Sequence, residues 1–220
     1  MLQFLITSDN GLTGAGYIVS IAVMIALFLG AVFFGRSRAQ KKAPTKQLVF
    51  SGTAMALAFI ASYLKIFNMP FGGSVTLFSM LFICLIGYWY GPGAGLLTGL
   101  AYGILQFLQE PIVLSPFQVG CDYILAFAGL GLSGLFHKAK NGLVKGYILG
   151  VLVRGLFHVI GGYLYWMDYM PENFPPALAS VYPIVYNYSY LLAEGALTLI
   201  VISLAPVKKA LGQLKKMALE

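Results

Sequence analysis

Apolar runs divide the chain into seven segments, at residues 13–35, 47–67, 74–90, 93–109, 117–137, 146–167 and 180–205. The breaks at 36–46, 68–73, 91–92, 110–116, 138–145 and 168–179 each contain Pro, Gly or charge, the punctuation expected of connections. A bilayer-spanning helix needs about 20 mostly apolar residues, so the segments predict seven spanning helices. Strict apolar–polar alternation is absent, which argues against a β-barrel. The pattern therefore predicts an all-α integral membrane protein.

Composition agrees. Of 220 residues, 59% are hydrophobic and 10% charged, with a mean hydropathy of +0.83, where soluble domains carry roughly 25% charged residues. A water-soluble enzyme and a disordered or disulfide-stapled chain are excluded. Cys84 and Cys121 lie in or beside apolar runs and read as buried thiols.

The net charge of +7 changes the picture through its placement. Arg36, Arg38, Lys41, Lys42 and Lys46 crowd the first connection, Lys138, Lys140 and Lys145 the fifth, and Lys208, Lys209, Lys215 and Lys216 follow the last span. Alternating spans put all three groups on one side, which the positive-inside rule makes the cytoplasm. The N-terminus is then outside and the C-terminus cytoplasmic, in a multi-pass protein of the cell membrane. The first segment has its acidic Asp9 before the apolar run and its basic residues after it, the reverse of a signal peptide. It reads as a retained helix. The chain thus divides into an N-terminal helix with a basic linker (1–46), a six-helix membrane domain (47–205) and a basic tail (206–220) that reads as an interfacial helix.

Charged residues within spans are functional candidates because burying them in lipid is costly. Asp122, Arg154 and Glu194 are such residues, and His158 adds a titratable group. Arg154, His158, Gly162 and Trp166 recur every four residues and form one stripe on the sixth span. Asp122 and Tyr123 open the fifth span, and Tyr182 and Asn187 open the seventh, all toward the outer face. Three helices thus deliver an acid, a histidine, an amide and aromatic faces to one depth, which predicts an outward-opening pocket. A carboxylate with Trp and Tyr faces suits an organic cation, while His158 and Asn187 supply directed hydrogen bonds. Arg154 is expected to pair with Asp122 or another acid, or to donate to a ligand. Tyr182 can equally belong to an interfacial aromatic belt, as can Tyr88, Trp89 and Tyr90 at the cytoplasmic end.

Small residues mark packing faces. Gly91, Gly95, Gly99 and Gly103 give the fourth span a smooth side. Gly52 with Ala56, and Ala54 with Ala58, do the same on neighbouring faces of the second, where a partner subunit could dock. No Walker A, dinucleotide-binding, HExxH or GxSxG motif occurs, so no cofactor, metal or nucleotide site is expected. A self-sufficient secondary transporter, and an intramembrane enzyme using His158 and Asp122, remain alternatives.

Several runs together resemble a known family. They are Met69-Pro70-Phe71-Gly72-Gly73-Ser74-Val75-Thr76, Asp122-Tyr123 followed by Leu125-Ala126-Phe127, Arg154-x-x-x-His158 with Trp166 eight residues on, and Tyr182 with Tyr186-Asn187. In order and spacing, over about residues 47–205, they resemble the thiamine-specific S components of energy-coupling factor transporters. The resemblance implies a six-helix S-component core, here with one additional N-terminal helix. It implies capture of thiamine from outside and delivery with a transmembrane scaffold subunit and two cytoplasmic ATPases. It assigns Asp122 and Tyr123 to the thiazolium, and maps the family's ligand-binding His, Gly and Trp stripe onto His158, Gly162 and Trp166 and its Tyr and Asn onto Tyr182 and Asn187, with Arg154 beside them. Gly72, Gly73 and Ser74 would form a lid, and the small residues Gly52, Ala54, Ala56 and Ala58 would meet the scaffold. Another cationic or heteroaromatic vitamin precursor is the alternative ligand. Asp122 stands where some members carry Glu, and Arg154 where some carry Lys, a planar donor in place of a point charge.

Overall fold

The computed structural model describes residues 4–5, 12–19, 22 and 45–220. The predicted first span and its basic linker lie largely outside these residues.

From residue 45 onward the chain is mainly helical. Helix α1 (Thr45–Tyr63) is followed by a hairpin of β1 (Lys65–Asn68) and β2 (Ser74–Thr76), then α2 (Ser79–Tyr90) and α3 (Pro92–Gln109). Helix α4 (Pro116–Phe136), α5 (Gly142–Tyr169) and α6 (Pro176–Ser203) complete the bundle. The basic tail forms α7 (Ala205–Leu219). The hairpin corrects the all-α expectation: residues 65–67 and 74–76, read as helix ends, pair antiparallel instead, Phe67 with Val75 and Asn68 with Ser74. Pro70 and the two glycines between the strands break the helix. Gly72 takes φ +101°, a conformation that suits glycine.

Three helices, α4, α5 and α6, are long and apolar enough to cross a membrane among the described residues. Two of the other predicted spans, α2 and α3, fall short for identifiable reasons. Helix α2 has 12 residues, about 18 Å at the α-helical rise, and the hairpin takes the chain that the sequence pattern allotted to it. Helix α3 is diluted by glycines and by Gln106 and Gln109, which serve packing and the cavity described below.

Helix α2 runs through the centre: Met80, Ile83, Cys84 and Ile86 are fully buried. A single glycine, Gly91 at φ +90°, turns the chain between α2 and α3. The glycine side of α3 packs as expected. A Cβ on Gly95 would meet the carbonyl of Gly131 at 2.6 Å, and one on Gly99 or Gly103 would strike the α4 backbone at Phe127 or Tyr123. Cys84 and Cys121 are free and buried.

Trp89 is not a belt residue: it is 8% exposed and stands edge-on to Phe50 in the interior. Its neighbours hold the tail, for the Tyr90 hydroxyl donates to the Ala218 carbonyl at 2.9 Å and Lys215 Nζ lies 4.0 Å from the centre of the Tyr88 ring. The four small residues of α1 divide by face. Ala54 and Ala58 are buried in the bundle, Ala58 accepting from the Tyr102 hydroxyl through its carbonyl, so they are withdrawn from any partner contact. Gly52 and Ala56 are exposed, in a stripe with Leu48 and Ile60.

Candidate functional site

A cavity lies between the hairpin and helices α1, α3, α4, α5 and α6. It offers about 130 Å³ to the centres of water-sized molecules, well above the ~10–15 Å³ that admits one water. Every residue predicted for the pocket lines it: Asp122, Tyr123, Arg154, His158, Gly162, Trp166, Tyr182 and Asn187, together with Gly72, Gly73 and Ser74.

Asp122 is the hub. Its Oδ1 accepts from His158 Nδ1 at 3.2 Å, and its Oδ2 accepts from Gln118 Nε2 at 2.8 Å and Trp166 Nε1 at 3.2 Å. Its side chain is only 13% exposed and that of His158 12%. Three nitrogen donors from two helices therefore fix a carboxylate at the cavity wall.

The backbone that presents these groups is unusual in both helices. Residues Gly120–Leu125 of α4 and Gly162–Trp166 of α5 widen from α to π geometry. A four-residue repeat drifts by about 40° per step on an α-helix, and the wider π turn of α5 offsets that drift where Trp166 must share Asp122 with His158. Such local widening recurs at functional sites. Gly161 permits the approach of α4, since a Cβ there would lie 2.8 Å from Asp122 Oδ1.

Among the described residues Arg154 forms no ion pair with an acid. Its Nε donates to His158 Nε2 at 3.4 Å and its guanidinium lies 4.2 Å from the Phe127 ring centre. This donation requires His158 Nε2 to accept, placing the imidazole proton on Nδ1 toward Asp122. Arg154, His158 and Asp122 thus form one directed chain of hydrogen bonds.

The opposite wall belongs to α6. Asn187 Nδ2 donates to Pro183 O at 2.9 Å and to His158 O at 3.4 Å, and its Oδ1 accepts from the Tyr190 hydroxyl at 3.0 Å. Tyr182, Tyr186 and Tyr190 stack along the same face, with ring centres 5.7 and 6.0 Å apart. Tyr182 is buried and packs edge-on to Phe174, which sets aside its reading as a belt residue. The Tyr186 hydroxyl donates to Pro70 O, and a Cβ on Gly73 would lie 2.7 Å from the Tyr190 ring, so the hairpin turn rests on α6. Tyr123 lines the cavity but commits its hydroxyl to a loop, donating to Glu110 O at 2.6 Å and accepting from Ile112 N at 3.1 Å.

Sequence reading missed Gln118, which is 1% exposed, and the hydrogen-bonded cluster of Ser62, Gln106 and Gln109 at the α1–α3 wall. Gln118 stands one turn before Asp122, and Gln106 and Gln109 interrupt an apolar run, so a signal was present in the spacing. Glu194, whose position deeper in the bundle suggests a structural or coupling role, also lines the cavity, at its end nearest the start of α2.

Apolar helices enclosing a polar, aromatic-walled cavity define a helical membrane protein with a small-molecule binding site. A profile of the family described as "Thiamine transporter protein (Thia_YuaJ)" matches residues 48–213. The chain is 34% identical over 156 residues to the thiamine transporter ThiT of Bacillus subtilis, covering 62% of this chain and 77% of that protein. It is 30% identical over 122 residues to ThiT of Lacticaseibacillus paracasei, covering 48% and 59% respectively. The solved structure of ThiT from Listeria monocytogenes superposes with a TM-score of 0.58 at 26% identity, covering 73% of this chain and 94% of that one. The chain belongs to the thiamine transporter protein family. That membership makes it a membrane transport protein, and its relatives are named as transporters rather than enzymes.

Proposed function

We propose that this chain is the substrate-capture subunit of an energy-coupling factor uptake system, taking thiamine from outside into the cavity around Asp122. The observation that carries the reading is the Asp122 carboxylate, held by His158, Gln118 and Trp166 within an aromatic enclosure. Thiamine joins a permanent cation to a flat aminopyrimidine. Asp122 and the Trp166 face suit the cation, and Asn187 Oδ1, which keeps a lone pair beside the one given to Tyr190, suits the heterocycle's amino group, with His158 on the same wall orienting Asp122. Gly162 leaves room for a flat ring, and Gly72, Gly73 and Ser74 form the cover. The ThiT names of the relatives support the ligand.

In this reading residues 47–205 form the six-helix binding domain, with α1 to α6 as its helices, and residues 1–46 add one helix and a basic linker. The cavity opens outward and the C-terminus is cytoplasmic. A transmembrane scaffold docks on the exposed Gly52–Ala56 stripe of α1, two cytoplasmic ATPases supply the energy, and the chain needs no cofactor.

Titration of ligand-free purified protein with thiamine, followed by tryptophan fluorescence, tests the reading. Saturable quenching is expected, lost in Trp166→Phe and weakened in Asp122→Asn. A folded, ligand-free wild type silent up to about millimolar thiamine, where binding free energy is only about −4 kcal/mol, would overturn it.

A further inference from the structure

Glu194 lies one turn beyond Tyr190 on α6 and is 2% exposed. Its partners are on a segment 118 residues away in the chain. Glu194 Oε2 accepts from the Thr76 N–H at 2.9 Å and from the Thr76 hydroxyl at 2.7 Å. Its Oε1 lies 3.4 Å from both the Met80 N–H and the Ser79 hydroxyl. With the Thr76 proton committed to the carboxylate, Ser79 donates its own to Thr76 Oγ1 at 2.6 Å. All of these donors are neutral.

The segment so held is the junction of β2 with α2. Phe78, the residue before α2, adopts φ +64° and offers no side-chain cap to the helix. A bulky residue in the left-handed region persists only where its surroundings impose it. Glu194 supplies both missing elements: an anion at the α2 N-terminus, and a clamp on the strand entering the strained turn. Packing alone would be served as well by an apolar side chain.

The same strand leads back to the cavity cover. Ser74 and Gly73, two and three residues before Thr76, line the cavity, and Gly73 rests on Tyr190. Tyr186, Tyr190 and Glu194, spaced by four residues, grip the hairpin at Pro70, Gly73 and Thr76 in turn. Tyr190 also donates to Asn187. We propose that Glu194 is a positioning residue: it locks β2 against α6 and thereby sets how long a ligand stays in the cavity. The inference rests on the thiamine reading above.

The test is stopped-flow tryptophan fluorescence of thiamine association and dissociation, on the full chain in detergent, for wild type, Glu194→Gln, Thr76→Val and the double variant. Both single variants are expected to release thiamine faster, Glu194→Gln by roughly tenfold, as the weakening of charge-assisted bonds predicts. Association should stay within about twofold, since Asp122, His158 and Trp166 are unaltered and the variants act on the hold of the cover. The double variant should release no faster than the two single effects sharing one bond allow. Release at the wild-type rate from the folded variants overturns the inference, as does loss of folding in both. If only Glu194→Gln fails to fold, Thr76→Val decides alone. A wild type that gives no thiamine signal overturns the thiamine reading itself, and this inference with it. A wild type that binds, with variants that release no faster, overturns this inference only.

Discussion

Gln118 and Asp122 stand one turn apart on α4, and the Gln118 amide donates to Asp122 Oδ2 at 2.8 Å. The remainder of that amide is also committed, its Oε1 accepting from the Leu114 N–H at 3.0 Å. Gln118 therefore carries the orientation of the loop before α4 into the carboxylate.

Gln118→Leu is expected to keep the fold and to weaken thiamine binding by about tenfold or more, since a hydrogen bond to a charged group contributes about 1.5–3 kcal/mol. Equilibrium titration of the purified variant checks this. Wild-type affinity in Gln118→Leu would show that His158 and Trp166 hold Asp122 without help.

The Asp122 cluster also shows what sequence can reveal. Asp122, His158 and Trp166 were legible because each is a polar or aromatic interruption in an apolar helix, and the four-residue stripe placed two of them on one face. The π turns that bring Trp166 to Asp122 leave no mark in composition. The hairpin was hidden because Leu64, Ile66 and Phe67 continue the apolar run of α1 around the single charge of Lys65. The faces of α1 were ambiguous because Gly52 and Ala54 are both small, and only packing against Tyr102 shows that Ala58 and its neighbour Ala54 turn inward.

Gly162→Ala should damage both stability and binding. A Cβ there would lie 2.7 Å from Pro183 Cβ and 3.4 Å from Asn187 Nδ2, and a proline ring has little room to yield. Overpacking of this kind costs about 1–3 kcal/mol, so a lowered Tm and a displaced Asn187 are expected. Gly195→Ala is the matched control, since its Cβ would meet only Val151 Cγ1, at an ordinary 3.8 Å. Thermal unfolding and thiamine titration of the pair should separate them; equal behaviour would mean that α5 and α6 adjust freely at the site.

Gly131→Ala tests the glycine seam between α3 and α4. The added methyl would run into the backbone of Gly95 and Leu96, which cannot rotate away. The two helices would have to part, with a destabilisation at the upper end of the ~1–3 kcal/mol range for overpacking. Gly131 sits at the end of the seam away from Asp122, so folded protein should retain most of its thiamine affinity. A thermal shift is the measurement, and an unchanged Tm would refute the close contact.

Gly52→Leu addresses the partner surface. Nothing lies within 4 Å of a Cβ at Gly52, and the residue faces outward in line with Leu48, Ala56 and Ile60. A leucine there can be accommodated by the isolated chain, and it should leave Tm and thiamine binding as in the wild type. Small residues let two helices approach closely, and a leucine side chain would hold them apart. Uptake of labelled thiamine by cells expressing the variant with its energising subunits should then fall sharply while the purified protein still binds. Ala54→Leu should behave differently, because Ala54 is buried and its enlargement strains the bundle itself. Uptake at the wild-type rate in Gly52→Leu would place the scaffold on another face, and the exposed stripe would then be lipid-facing only.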